Sequence, residues 1–118
     1  MDAAALRAAV SDSPGCAHCA ALVCPGWESV TAPLGPPQLE RVGSLRDPEL
    51  VEPTFAEAHD AGTTYWHARA QIATAFFPYN RAEVWRCPAC RRGFLQYTEA
   101  GGYYVDHRLR AVDRALIR

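Results

Sequence analysis

The clearest pattern of apolar and polar positions lies in the last third of the chain. Glu83–Cys87 and Gly93–Thr98 are rich in aromatic and β-branched residues, and each predicts a strand. Between them Cys87-Pro88-Ala89-Cys90 reads as a tight turn. Glu99-Ala100-Gly101-Gly102 reads as a hairpin loop, because its glycines accept positive φ, and Tyr103–His107 predicts a third strand. Leu109, Val112 and Leu116 recur at i, i+3 and i+7, which predicts a short terminal helix. At the other end, residues 2–10 are strong helix formers led by Asp2, and Leu6 and Val10 are the positions through which such a short helix must pack. Ser13-Pro14-Gly15 stops it.

The middle of the chain lacks either period. Six of the nine prolines fall between Pro25 and Pro53, with Gly26, Gly35 and Gly43 among them. Residues 25–54 therefore read as a long irregular connection wrapping the domain, with at most a turn of helix near Asp47–Val51. Residues 65–77 fit neither a helix nor a strand, and Pro78-Tyr79-Asn80 reads as a turn. Eleven of the twelve aromatic residues lie at or after Phe55, which places the core in the C-terminal half. Trp66, Trp85, Phe76, Phe77 and Phe94 are read as core. The expectation is one α+β domain spanning 1–118: a small three-stranded antiparallel sheet, short terminal helices and the irregular connection. Residues 1–24 carry the N-terminal helix, and 55–118 the aromatic-rich core.

At 118 residues and 49% apolar composition, the chain can bury roughly two-thirds of its unfolded surface, which gives a thin core and excludes wholesale disorder. No apolar run approaches membrane-spanning length, so no membrane partner is expected. Asp2 stands where a secretion signal carries positive charge, so the expected location is cytoplasmic. Net charge is −1, unevenly spread: residues 1–80 hold four Arg against nine acids, and residues 81–118 hold eight Arg against four acids. Absent Lys and abundant Ala match a GC-rich bacterial genome.

Five cysteines in a reducing compartment point to metal rather than disulfides, and the odd count excludes complete pairing within the chain. Cys16-Ala17-His18-Cys19 and Cys87-Pro88-Ala89-Cys90 are two C-x-x-C pairs. That spacing turns both sulfurs toward one point, and two such turns supply the four thiolates of a tetrahedral Zn²⁺ site. The metal ligands read from the sequence are Cys16, Cys19, Cys87 and Cys90, with Zn²⁺ as the cofactor. Cys24 or His18 is the alternative ligand; Cys24 is read as a small buried residue. Arg86, Arg91 and Arg92 flank the second pair and offset the charge of a four-thiolate site.

Residues 83–107, a C-x-x-C turn on a hairpin followed by a further strand, resemble zinc ribbons. The resemblance implies a structural metal between two knuckles. Such knuckles usually place Gly directly after the second Cys, where this chain has Ala20 and Arg91. A side chain in the left-handed conformation there costs on the order of 1 kcal/mol.

Two catalytic resemblances fail on context. Cys16–Cys19 resembles the active-site turn of thiol–disulfide oxidoreductases, but no strand precedes it and no βαβ pattern surrounds it. Val105-Asp106-His107 after a Cys pair resembles HNH-type endonucleases, but the further Asn and His are absent from the eleven residues after His107. His59, Asp60 and His67 lack a well-spaced third ligand and are read as hydrogen-bonded residues in or near the core. Arg81, Arg86, Arg91, Arg92, Arg108 and Arg110 interleave with Tyr79, Tyr97, Tyr103 and Tyr104, as on nucleic-acid-binding ribbons. The alternative is a half-buried sheet with Arg on its wet face, which a net charge of −1 favours. The sequence thus predicts no catalytic residue. It predicts a non-catalytic zinc protein serving as a protein-interaction or adaptor module, with nucleic-acid binding, or thiol redox and metal handling through Cys16/Cys19, as the alternatives.

Overall fold

The structure is a computed structural model and describes all 118 residues. The one α-helix, α1 (Ala3–Ala9), starts where Asp2 accepts the Ala5 N–H at 2.8 Å, satisfying one of the orphan donors of the first turn. Leu6 and Val10 are both buried, as the short helix requires.

Five antiparallel strands form a single sheet, not the three expected. They are β1 (Glu28–Val30), β2 (Glu40–Ser44), β3 (Glu83–Arg86), β4 (Gly93–Ala100) and β5 (Val105–Ala111), in the order β1-β5-β4-β3-β2. The two additional strands come from the Pro-rich connection and form the two edges. β1 pairs with β5 (Ser29 opposite Arg108), and β2 pairs with β3, with an irregularity between Arg41 and Gly43. Residues 31–39 therefore cross the sheet from one edge to the other. Four inter-strand steps need roughly 19 Å, within the reach of nine residues at up to about 30 Å. Gln96 on β4 pins this crossing: its side-chain oxygen accepts the Leu34 N–H at 2.8 Å and its amide donates to the Leu34 carbonyl at 2.9 Å.

The predicted terminal helix does not form. β5 runs through Leu109 to Ala111 and only a 3₁₀ turn follows, at Arg114–Leu116. Leu109 and Val112 lie on opposite faces of the sheet, so their i, i+3 spacing is not a helical stripe. Asp47–Val51 forms a hydrogen-bonded turn without helix (Leu50 N–H to Asp47 O, 3.2 Å). Pro78-Tyr79-Asn80 leads into a 3₁₀ turn over Tyr79–Arg81. Residues 53–60 are irregular and 61–78 run through successive turns, anchored where Ile72 bridges Ile117.

Both faces of the sheet are covered, which is why β4 is buried at five consecutive positions from Gly93 to Tyr97. One face carries the larger core, including Leu6, Val84, Leu95, Tyr79, Tyr97 and Trp27. Trp27, the one aromatic before Phe55, packs edge-on to Tyr97 at 4.9 Å between centroids. The other face carries Cys19, Leu39, Cys87, Phe94, Leu109 and Ala111. Phe94 is fully buried, but Trp66 and Phe76 are 40% and 39% exposed and so are not core residues. Trp66 instead lies under the Arg108 guanidinium at 4.3 Å.

Candidate metal centre

The chain between α1 and the first Cys pair is stitched to the second Cys turn by ordinary hydrogen bonds. Ser11 N–H donates to Arg91 O (2.9 Å) and Ser11 Oγ to Cys90 O (2.8 Å). Arg86 reaches Ala9 O at 3.1 Å, and Arg92 reaches Ser13 O at 3.0 Å. These contacts bring together residues 77 to 80 positions apart in sequence.

Each pair has its own turn. In the first, Cys19 N–H donates to Cys16 O and Cys16 N–H points at Cys19 Sγ (3.4 Å), and the chain continues into a 3₁₀ turn at Ala20–Leu22. Ala20 therefore needs no left-handed conformation. Gly15, before this turn, has φ of 114°, and a methyl group there would lie 2.9 Å from Val23 Cγ2. In the second turn, Arg91 N–H donates to Cys87 O and Cys87 N–H to Arg92 O, both at 2.9 Å. Arg91 occupies the left-handed region with φ of 66°, the strain its sequence position implies, of order 1–2 kcal/mol.

The four sulfurs of Cys16, Cys19, Cys87 and Cys90 lie within 4.8 Å of one another. Two approaches run between the pairs: Cys16 to Cys87 and Cys19 to Cys90, each 3.7 Å. All are free thiols, far from the roughly 2.05 Å of a disulfide. A tetrahedron of sulfurs about 2.3 Å from a central Zn²⁺ has edges of about 3.8 Å. The donor set and its spacing fit such an ion. Cys19 and Cys87 are buried, whereas Cys16 and Cys90 are partly exposed.

The thiols differ in electrostatic setting. Burial pushes Cys19 up to about 12, helped by its neighbours Cys90 and Cys87 and opposed by the Cys16 backbone contact. At Cys90 burial also acts upward, but the Ser13 side chain, the Arg92 backbone and the Cys16 and Cys19 side chains together bring the thiol down to about 6. Of the flanking cations, Arg86 is paired with Glu40 at 2.7 Å and Arg91 is exposed.

The remaining candidates stay apart. Cys24 is partly rather than fully buried, and its thiol faces Leu109 O at 3.7 Å, outside the cluster. His18 Nε2 lies 3.1 and 3.0 Å from the Pro37 and Gln38 carbonyl oxygens. His59 pairs with Glu57 at 3.2 Å, and His59, Asp60 and His67 form no ligand cluster. Asp106 is held by Ser29 and Arg108, whereas His107 meets Thr98 at 3.0 Å, so this pair is spent on strand contacts.

Arg110, expected with the other arginines on an exposed face, is instead 1% exposed and has no carboxylate partner. An Arg between Leu109 and Ala111 on a strand reads as solvent-facing, so no signal in the sequence marks its burial. No helix in the structure is long and apolar enough to cross a membrane. No family model, curated protein or solved structure matches this chain.

Proposed function

We propose that this chain is a non-catalytic, zinc-ribbon-like protein whose metal is structural and which acts in the cytoplasm as a protein-interaction or adaptor module. The convergence of four thiols at tetrahedral spacing carries the reading. Cys16, Cys19, Cys87 and Cys90 would hold the ion as thiolates. When bound, it supplies cross-linking free energy to the fold and leaves no open position for substrate.

The interaction half rests on exposed apolar side chains. Tyr103, Tyr104 and Val105 form the tip of the β4–β5 hairpin, and all three are exposed. The nucleic-acid alternative needs free guanidinium groups on one face. Here Arg81 stacks on Phe55 at 4.1 Å, Arg86 and Arg108 are paired with acids, Arg92 is tied to Ser13, and Arg110 is buried. The redox alternative needs the first Cys pair to open a helix, and a three-residue 3₁₀ turn stands there instead.

Elemental analysis of the purified protein should give one zinc per chain. Chelation should expose four further thiols and abolish cooperative unfolding. A metal-free, folded protein with a Cys16–Cys19 disulfide would overturn the reading. A photo-crosslinker at Tyr104 should trap protein. Retention on single-stranded DNA that falls steeply with salt would transfer the assignment to nucleic acid.

A further inference from the structure

Arg110 is buried as a cation without its counter-charge. One terminal nitrogen donates to the Tyr79 hydroxyl and the other to Ala70 O at 2.7 Å, while Nε is buried with no partner. Both partners are neutral, so they satisfy hydrogen bonds and leave the charge uncompensated. Arg110 lines a cavity of about 300 Å³ together with Cys24, Arg69, Arg92 and Asp113. Arg92 also has a buried, unpartnered Nε. The one carboxylate, Asp113, is already engaged by Arg69 at 3.6 Å and by the Ala115 N–H at 3.0 Å. Three guanidinium groups therefore face one acid. Burial pushes the Cys24 thiol up, so it stays neutral and does not supply the missing charge.

We propose that this cavity is a binding site for a small oxyanion of the phosphate class, with Arg110 and Arg92 as inner donors and Arg69 at the rim. A phosphate dianion matches the excess of two positive charges lining the cavity; its oxygens would take the spare terminal N–H groups of Arg110, Arg92 and Arg69, because the unpartnered Nε atoms are themselves occluded. Water could fill the hydrogen bonds but not the charge. None of the four clustered thiols lines the cavity, although Arg92 belongs to the second Cys turn, so the phosphate titration is read at one fixed metal content.

The test uses the full chain as purified. Inorganic phosphate is titrated calorimetrically, and thermal midpoints are compared in phosphate and chloride at equal pH and ionic strength. One saturable site and a higher midpoint in phosphate are expected. Arg110→Gln should abolish both. Should that variant fail to fold, Arg69→Ala decides, because its side chain is 70% exposed. Removing this donor should weaken binding by about tenfold. Bound phosphate should also slow iodoacetamide modification of Cys24, located by peptide mass spectrometry. Adenosine monophosphate as a second probe separates the two sources of the group: tighter binding than phosphate identifies a phosphomonoester ligand, and equal or weaker binding identifies the free ion. Equal midpoints in phosphate and chloride, a non-saturating response, or an unchanged Cys24 rate would each overturn the proposal.

Discussion

Gly93 opens β4 at the point where the helix, the second Cys turn and the end of β5 meet. A methyl group built there lies 2.4 Å from Val10 Cγ1, 2.9 Å from Val10 Cβ and 3.2 Å from Val112 Cβ. Carbon–carbon contacts are favourable near 3.5–4.0 Å, so the neighbours must retreat by as much as an ångström. Val10 is 4% exposed at the C-cap of α1, and Val112 is tied by its N–H to Gly93 O at 2.8 Å, so neither retreats freely. Gly93→Ala should therefore destabilise the fold by about 1–3 kcal/mol through overpacking. Val10→Ala alone should cost about 2 kcal/mol from lost burial. Combining them removes the 2.4 Å clash and leaves the 2.9 Å one, so the double variant should be less destabilised than the sum by roughly 1 kcal/mol. Urea unfolding of the four proteins, in the same metal state, measures all three quantities. A neutral Gly93→Ala, or singles that add to within about 0.5 kcal/mol, would refute the packing argument.

Three further outcomes follow from the same structure. Cys24→Ala should retain a full equivalent of zinc, whereas alanine at any of Cys16, Cys19, Cys87 or Cys90 should lose it, as read by metal analysis after gel filtration. Gln96→Leu strands the Leu34 N–H and carbonyl beneath the crossing segment and should cost about 2–3 kcal/mol in a denaturation series, with faster amide exchange over residues 31–39. Burial raises the phenols of Tyr79 and Tyr97, so the neutral form is favoured in the folded state. Their contribution is complete below the free phenol value of about 10 and is lost as pH rises beyond it. The urea midpoint should fall above pH 10, and less steeply in Tyr79→Phe.

The cysteine spacing made the centre legible, because ligand geometry is imposed by short turns that the local sequence specifies. Strands β3 and β4 were legible for a similar reason: their own side chains supply the pattern. Strands β1 and β2 were not. Glu28–Val30 and Glu40–Ser44 are short edge strands whose extended form depends on the partners they meet, among prolines and glycines that read as loop. Leu109, Val112 and Leu116 misled because a strand buried on both faces shows no alternation, leaving a coincidental helical spacing to stand out. The left-handed Arg91 was foreseeable from the turn that demands it, whereas the isolated charge of Arg110 was visible only once its neighbours were placed.

The 71-residue separation between the sulfurs that touch also orders events during synthesis. At 5–20 residues per second, the first two thiols leave the ribosome roughly 4–14 seconds before their partners exist. Throughout that interval the nascent chain offers an incomplete nest, open to competing ions and oxidants. Both sheet borders have by then been translated, yet they have no interior strands to flank. The nest is thus obliged to wait for Cys87 and Cys90 before it can close.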